Sequence, residues 1–113
     1  MSETIFSKII RGEIPCHRVY EDDRVLAFLD INPLSHGHVL VIPKRPIPSL
    51  DDLAPGDEQL IGHLYLTIAR IAKELGLTNG YRVVVNCGRD AGQSVDHLHF
   101  HLLGGRTLNW PPG

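Results

Sequence analysis

The sequence predicts an α+β domain: a five-stranded, mostly antiparallel sheet with one long and one short helix. Three observations carry that reading. Short apolar runs recur between polar, proline or glycine turns. One stretch near the middle repeats apolar residues at helical spacing. The chain of 113 residues, 42% hydrophobic, has the size and the core of one domain.

Taken in order, Ile5, Phe6, Ile9 and Ile10 fall at helical spacing. Residues 4–10 therefore read as a short helix capped by Thr4 or Ser2, ended by Gly12 and kept ended by Pro15. Residues 18–20 and 25–29 read as two strands joined by the polar turn 21–24, a hairpin. Asn32 and Pro33 close the second strand and open a loop through Gly37. Residues 38–42 form a third, apolar strand stopped by Pro43. Pro43, Pro46, Pro48 and Pro55 make the next stretch a surface connection. Leu60, Ile61, Leu64, Ile68, Ile71, Ala72 and Leu75 then mark one amphipathic helix over 57–75, with Gly76 as its C′ residue. The fourth strand spans 81–86 and the fifth 95–103, with a flexible polar loop, 88–94, between them.

Composition narrows the function classes. The net charge is -2 with histidines neutral, and this lack of basic excess argues against a nucleic-acid partner. No apolar run approaches the ~20 residues of a membrane span. The first residues show no positive segment followed by an apolar stretch, so the expected location is cytoplasmic. Cys16 and Cys87 belong to no C-x-x-C and are expected as small, buried or half-buried residues rather than a disulfide. A domain this small buries only roughly 60–70% of its unfolded surface, which favours an oligomer.

Three of the seven histidines stand in His97-Leu98-His99-Phe100-His101. On a strand, alternate residues face the same side. The imidazoles then form one row that lines a surface or cleft, and Leu98, Phe100 and Leu102 face the core. Such a row has three readings. Histidines can be polar fillers of an exposed sheet face. His-x-His can share a zinc ion, but His97 and His101 lie ~13 Å apart along an extended strand, too far to converge on one ion; a two-histidine site with His38 stays open. The third reading is catalysis, because a neutral imidazole nitrogen is a good nucleophile toward phosphorus. The backbone N–H groups and hydroxyl of Gly92-Gln93-Ser94 suit a phosphate or a leaving group.

The run His97 to Leu103 has the form His-φ-His-φ-His-φ-φ and resembles the histidine triad superfamily, within it the Hint branch of nucleoside phosphoramidases. Residues 4–10, 26–31, 41–44, 80–86 and the end from Gly104 to Gly113 look like the same branch. The resemblance implies a single such domain over 1–113. It implies that His99 is the nucleophile that becomes nucleotidylated, with His97, His101 and His38 beside it. It further implies that Asp30 binds the ribose hydroxyls and that Ile31, Phe6, Ile5, Ile9, Phe28 and Leu40 wall the base pocket. Asn86, Gly92, Gln93 and Ser94 then surround the phosphate and leaving group, with Ser94 near the departing nitrogen. Asp96 departs from the pattern, since some relatives carry an aromatic residue there. The cysteines of a structural zinc site lack counterparts, so no metal and no cofactor is expected.

The activity so implied is hydrolysis of purine nucleoside phosphoramidates, with an AMP or GMP moiety bound. Two alternatives stand beside it. One is a dinucleoside polyphosphate hydrolase or nucleotidyl transferase of the same superfamily, against which the tail Trp110-Pro111-Pro112-Gly113 speaks. The other is a nucleotide-binding regulatory protein with little catalysis. The resemblance also implies a homodimer in which two sheets join into one of ten strands. The long helix and the strand 81–86 would lie at the contact, and the tail with Trp110 would reach toward the partner's active site.

Overall fold

Residues 3–30 and 37–113 are described by the computed structural model of the chain. Along the sequence come α1 (Ile5–Ile10), β1 (Arg18–Glu21), β2 (Val25–Leu29) and β3 (Val39–Pro43). A turn of 3-10 helix at Leu50–Asp52 precedes α2 (Glu58–Glu74), β4 (Tyr81–Val84) and β5 (Phe100–Gly104). The strands form one sheet in the order β1-β2-β3-β5-β4, and every neighbouring pair is antiparallel. No helix among the described residues is long and apolar enough to cross a membrane.

The sheet is covered on both faces, which explains why its central strands read as continuous apolar runs. Val39 and Val41 of β3 face α2 and pack with Leu64, Ile68, Ile71 and Ala72. The alternate residues Leu40 and Ile42 face α1 and pack with Phe6 and Ile9, together with Leu26 and Phe28 of β2. All five residues of β3 are buried.

Helix α1 is only six residues long. A helix of that length is not stable by propensity alone, so caps and packing must hold it. Thr4 supplies the cap; Ser2 lies outside the described residues. The Ser7 backbone N–H donates to Thr4 Oγ1 at 3.1 Å, and the Thr4 N–H donates to Ser7 Oγ at 3.3 Å. Gly12 and Gly76 follow α1 and α2 with φ of +79° and +75°, the left-handed backbone that releases a helix end. At the β1–β2 turn, Asp22 Oδ1 accepts from the Arg24 and Val25 N–H groups at 2.8 Å. Its other oxygen accepts from Tyr20 Oη at 2.8 Å and lies 2.6 Å from His63 Nε2, tying the hairpin to α2.

Several expected boundaries move. The third strand begins at Val39 rather than at His38, and β1 extends to Glu21. The fifth strand begins at Phe100, not at Val95. The β3–β5 register, Val41 opposite Phe100, would set Pro43 opposite Leu98. Proline has no N–H to donate, so the ladder stops there. β4 ends at Val84 instead of Asn86, because its antiparallel partner β5 begins only at Phe100. The proline-rich connection after β3 is not purely a surface element. Ile47 is in the core beside Val41 and Leu98, and Leu98 N–H donates to the Ile47 carbonyl at 2.7 Å. Cys16 and Cys87 are free and half-buried.

Candidate active site

Leu98, Phe100 and Leu102 point into the α2-side core, and the three histidines that alternate with them take the opposite side. The alternation read from the sequence is kept, yet only His101 lies on a strand. His97 and His99 are 2% and 4% exposed, so the imidazole row does not line an open face. Phe6 of α1 covers it, with its ring edge-on to His99 at 5.1 Å and to His97 at 6.1 Å between centroids.

Hydrogen bonds to carbonyls settle two tautomers, since a carbonyl only accepts. His99 Nδ1 lies 2.7 Å from the His97 carbonyl and must carry a proton to donate to it. The neutral His99 ring therefore keeps the lone pair on Nε2. His97 Nε2 lies 2.8 Å from the Pro43 carbonyl and donates to it. That bond holds the start of the histidine run where the sheet ladder has already ended.

The fourth histidine completes the set. His38 Nε2 is 3.1 Å from His101 Nδ1 and 3.5 Å from Asp30 Oδ2. A lone pair on His38 Nε2 would face a carboxylate oxygen, so the proton belongs on that nitrogen. His101 Nδ1 then accepts, and His101 Nε2 carries the proton. His101 and His99 stand ring to ring at 5.2 Å. Burial lowers His101 to about 4, and the nearby His99 and His38 add to this against the pull of Asp30. Burial likewise lowers His38, opposed by Asp30. Burial lowers His97 too, opposed by its bond to Pro43 and aided by His99. At neutral pH these three rings are uncharged donors and acceptors.

Of the residues expected at the site, the structure brings together His38, His97, His99, His101, Asp30, Phe6, Ile9, Phe28 and Leu40. Phe28 meets Phe6 edge-on at 5.7 Å, and Leu40 sits directly opposite His101 in the sheet. Ile5 is 47% exposed, outside that packed group. Ile31 lies outside the described residues. Asn86 is half-buried two residues beyond β4, and Gly92 and Ser94 are exposed on the loop. Among the described residues, none hydrogen-bonds the Ser94 hydroxyl. Gln93 does not present its side chain toward the histidines' polar atoms. Its amide bonds to Pro48, Val95 and Gly88. The sequence reading missed the carbonyls of Pro43, Ile47 and Pro48 as supports of the site. The available signal was the proline run itself, because prolines cannot donate and part of such a segment's acceptors must be met from elsewhere. Among the described residues, no group of three or more His, Cys, Asp or Glu side chains is placed to hold a metal ion.

The sequence model of the HIT domain family matches residues 11–108. An uncharacterized HIT-like protein of Synechococcus elongatus is 58% identical over 114 residues, covering 100% of both chains. A HIT family hydrolase from Legionella pneumophila superposes with a TM-score of 0.96 at 43% identity, covering 98% of this chain and 100% of that one. A histidine triad nucleotide-binding protein from Candida albicans superposes with a TM-score of 0.82 at 35% identity, covering 96% and 83%.

The buried rings set a pH dependence of stability. The folded chain holds His101 neutral down to about 4, whereas its ordinary value is 6.5. Between those values the unfolded chain binds more protons, so stability is fully present above about pH 6.5 and is lost as pH falls toward 4. His38 and His97 act in the same sense. The unfolding free energy from urea titrations is expected to drop by on the order of 1–3 kcal/mol over this window. His101→Gln should flatten the slope, and an unchanged slope in that variant contradicts the assignment.

Proposed function

The chain belongs to the HIT domain family, and from that premise we propose that it is a hydrolase acting on purine nucleoside phosphoramidates. The observation that carries the proposal is the bond from His99 Nδ1 to the His97 carbonyl. It leaves Nε2 as the free base of a buried ring, next to a histidine that presents a proton on its own Nε2. A nucleophile with a proton donor beside it is the arrangement that nucleotidyl transfer through a covalent intermediate needs. The hydrolase relative from Legionella and the nucleotide-binding relative from Candida support the same class.

In this reading, Asp30 accepts from the two ribose hydroxyls, and the apolar wall of Phe6, Ile9, Phe28 and Leu40 takes the purine. His99 Nε2 attacks phosphorus and forms a P–N bond to the ring. The P–N bond to the amine breaks, its electron pair goes to the leaving nitrogen, and that nitrogen takes a proton. That proton comes from solvent by relay: Ser94 Oγ–H or His101 Nε2–H hands one on and takes one back, so neither is left charged. Water then attacks phosphorus and gives up a proton to solvent by the same relay, the electron pair returns to His99 Nε2, and the nucleoside monophosphate is released. Through both displacements the proton stays on His99 Nδ1, donated to the His97 carbonyl, which stabilises the ring while it is cationic.

The same reading makes the chain a homodimer. β4 is the end strand of the sheet, and Tyr81 on it is 44% exposed. Tyr65 and Leu66 of α2 are 47% and 74% exposed, and Trp110 is 78% exposed, with Arg82 5.8 Å over its ring. Joining β4 to a second copy would cover this edge. Light scattering at micromolar concentration should give twice the 12.6 kDa chain mass; a single-chain mass refutes the dimer.

His99→Ala is expected to lower turnover of an adenosine alkylphosphoramidate by more than about 10³-fold while still binding AMP. Trapped nucleotide should be found on His99 of the wild-type chain by mass spectrometry. Substantial activity in His99→Ala defeats the mechanism.

Ser94→Ala should slow alkylamine substrates by about 10²-fold or more and barely affect a fluorophosphate, whose leaving group needs no proton. Equal losses in kcat/KM on both substrates would remove Ser94 from proton transfer and leave the His99 nucleophile untouched.

A further inference from the structure

Gln93 sits in the loop between β4 and β5, directly before Ser94. Both donors and the carbonyl of its side chain are engaged by backbone. Oε1 accepts from the Gly88 N–H at 3.0 Å. Nε2 donates to the Pro48 carbonyl at 2.7 Å and to the Val95 carbonyl at 3.0 Å. The Gln93 N–H donates to the Gly88 carbonyl at 3.1 Å, and the Gly92 N–H to the Arg89 carbonyl at 3.0 Å, closing the loop on itself. A carboxamide has two N–H donors, and both are spent here. To donate to a phosphate, this side chain would have to release the loop.

The contact with Pro48 explains why the residue is a glutamine. Pro46 and Pro48 have no N–H, so this segment cannot pair with the loop through a regular backbone ladder. A side chain with two donors and an acceptor can bridge them. Two further bonds cross the same gap, from His97 Nε2 to the Pro43 carbonyl and from Leu98 N–H to the Ile47 carbonyl. Gln93 is the outermost of the three and the one nearest Ser94.

We infer that Gln93 is a positioning residue: its carboxamide pins the 88–94 loop to the Pro48 carbonyl and thereby sets where Gly92 and Ser94 stand relative to His99. This rests on the proposed phosphoramidate hydrolysis for its catalytic consequence, and on the hydrogen bonds alone for the pinning. A loop freed by an ångström costs rate rather than nucleotide affinity, because ribose and base are held by other elements.

Gln93→Glu and Gln93→Ala test it. Glutamate keeps the acceptor toward Gly88 but turns a carboxylate oxygen toward two carbonyls. Protonating that carboxyl restores one donor. At pH 7.5, kcat of Gln93→Glu on an adenosine alkylphosphoramidate should fall about 10–100-fold, with the AMP dissociation constant within about threefold of wild type. The ratio of its kcat to that of wild type at the same pH should recover as pH falls to 5. Gln93→Ala should show no such recovery, and its Gly88 amide should exchange with solvent at least about tenfold faster. An AMP affinity weakened more than about tenfold with Gly88 exchange unchanged would make Gln93 a substrate ligand and overturn the inference. So would an unchanged kcat in both variants. If the wild-type chain hydrolyses no phosphoramidate, the functional reading fails. Gly88 exchange then decides the inference on its own: faster exchange in Gln93→Ala sustains the pinning, and unchanged exchange overturns it.

Discussion

The whole site depends on how residues 93–98 are held once the sheet lets them go. β5 pairs with β3 only from Phe100 onward, because Pro43 ends the ladder. The two histidines of the row before that point, His97 and His99, are nevertheless buried. Their segment is anchored instead to three carbonyls of the chain that leaves β3: Pro43 takes His97, Ile47 takes Leu98, and Pro48 takes Gln93. A segment in the sheet would have its backbone groups committed to ladder bonds. Here the His97 carbonyl is available to accept from the His99 ring, and this one bond fixes which nitrogen of His99 is basic.

Burial does the rest of the electrostatic work. Four imidazoles within one small volume could not all be charged, and desolvation keeps His38, His97 and His101 neutral. A single carboxylate, Asp30, gives the chain of rings its direction. Its proximity favours the proton on His38 Nε2, which in turn favours Nε2–H on His101. Each neutral ring keeps one donor and one acceptor, so the row has a direction along which a proton can pass.

Helix α1 joins the core to this row. It is short, and its capping box and the burial of Phe6 and Ile9 hold it against the sheet. Phe6 serves both sides at once, packed on Phe28 in the core and edge-on to His97 and His99. Edge-to-face contacts fix ring orientation better than aliphatic packing does. The apolar cover of the histidines therefore comes from the same residue that completes the core of that face.

Much was determined by the sequence alone. Helix α2, the β1–β2 hairpin and the order of elements follow from local periodicity and turn residues, and their boundaries hold to within a residue or two. The alternation of His97, His99 and His101 with Leu98, Phe100 and Leu102 is equally local, and burial follows it without a ladder. Hydrogen-bond partners are not local. Whether residues 95–99 pair as a strand depends on what stands opposite, and Pro43 is 54 residues from His97. That Gln93 meets Pro48, 45 residues away, and His38 meets His101, 63 residues away, was decided by the tertiary structure. Side-chain direction is a property of neighbours along the chain, whereas tautomers and anchors are properties of neighbours in space. The alternation of the histidines was legible in advance; which atom of each carries the proton was not.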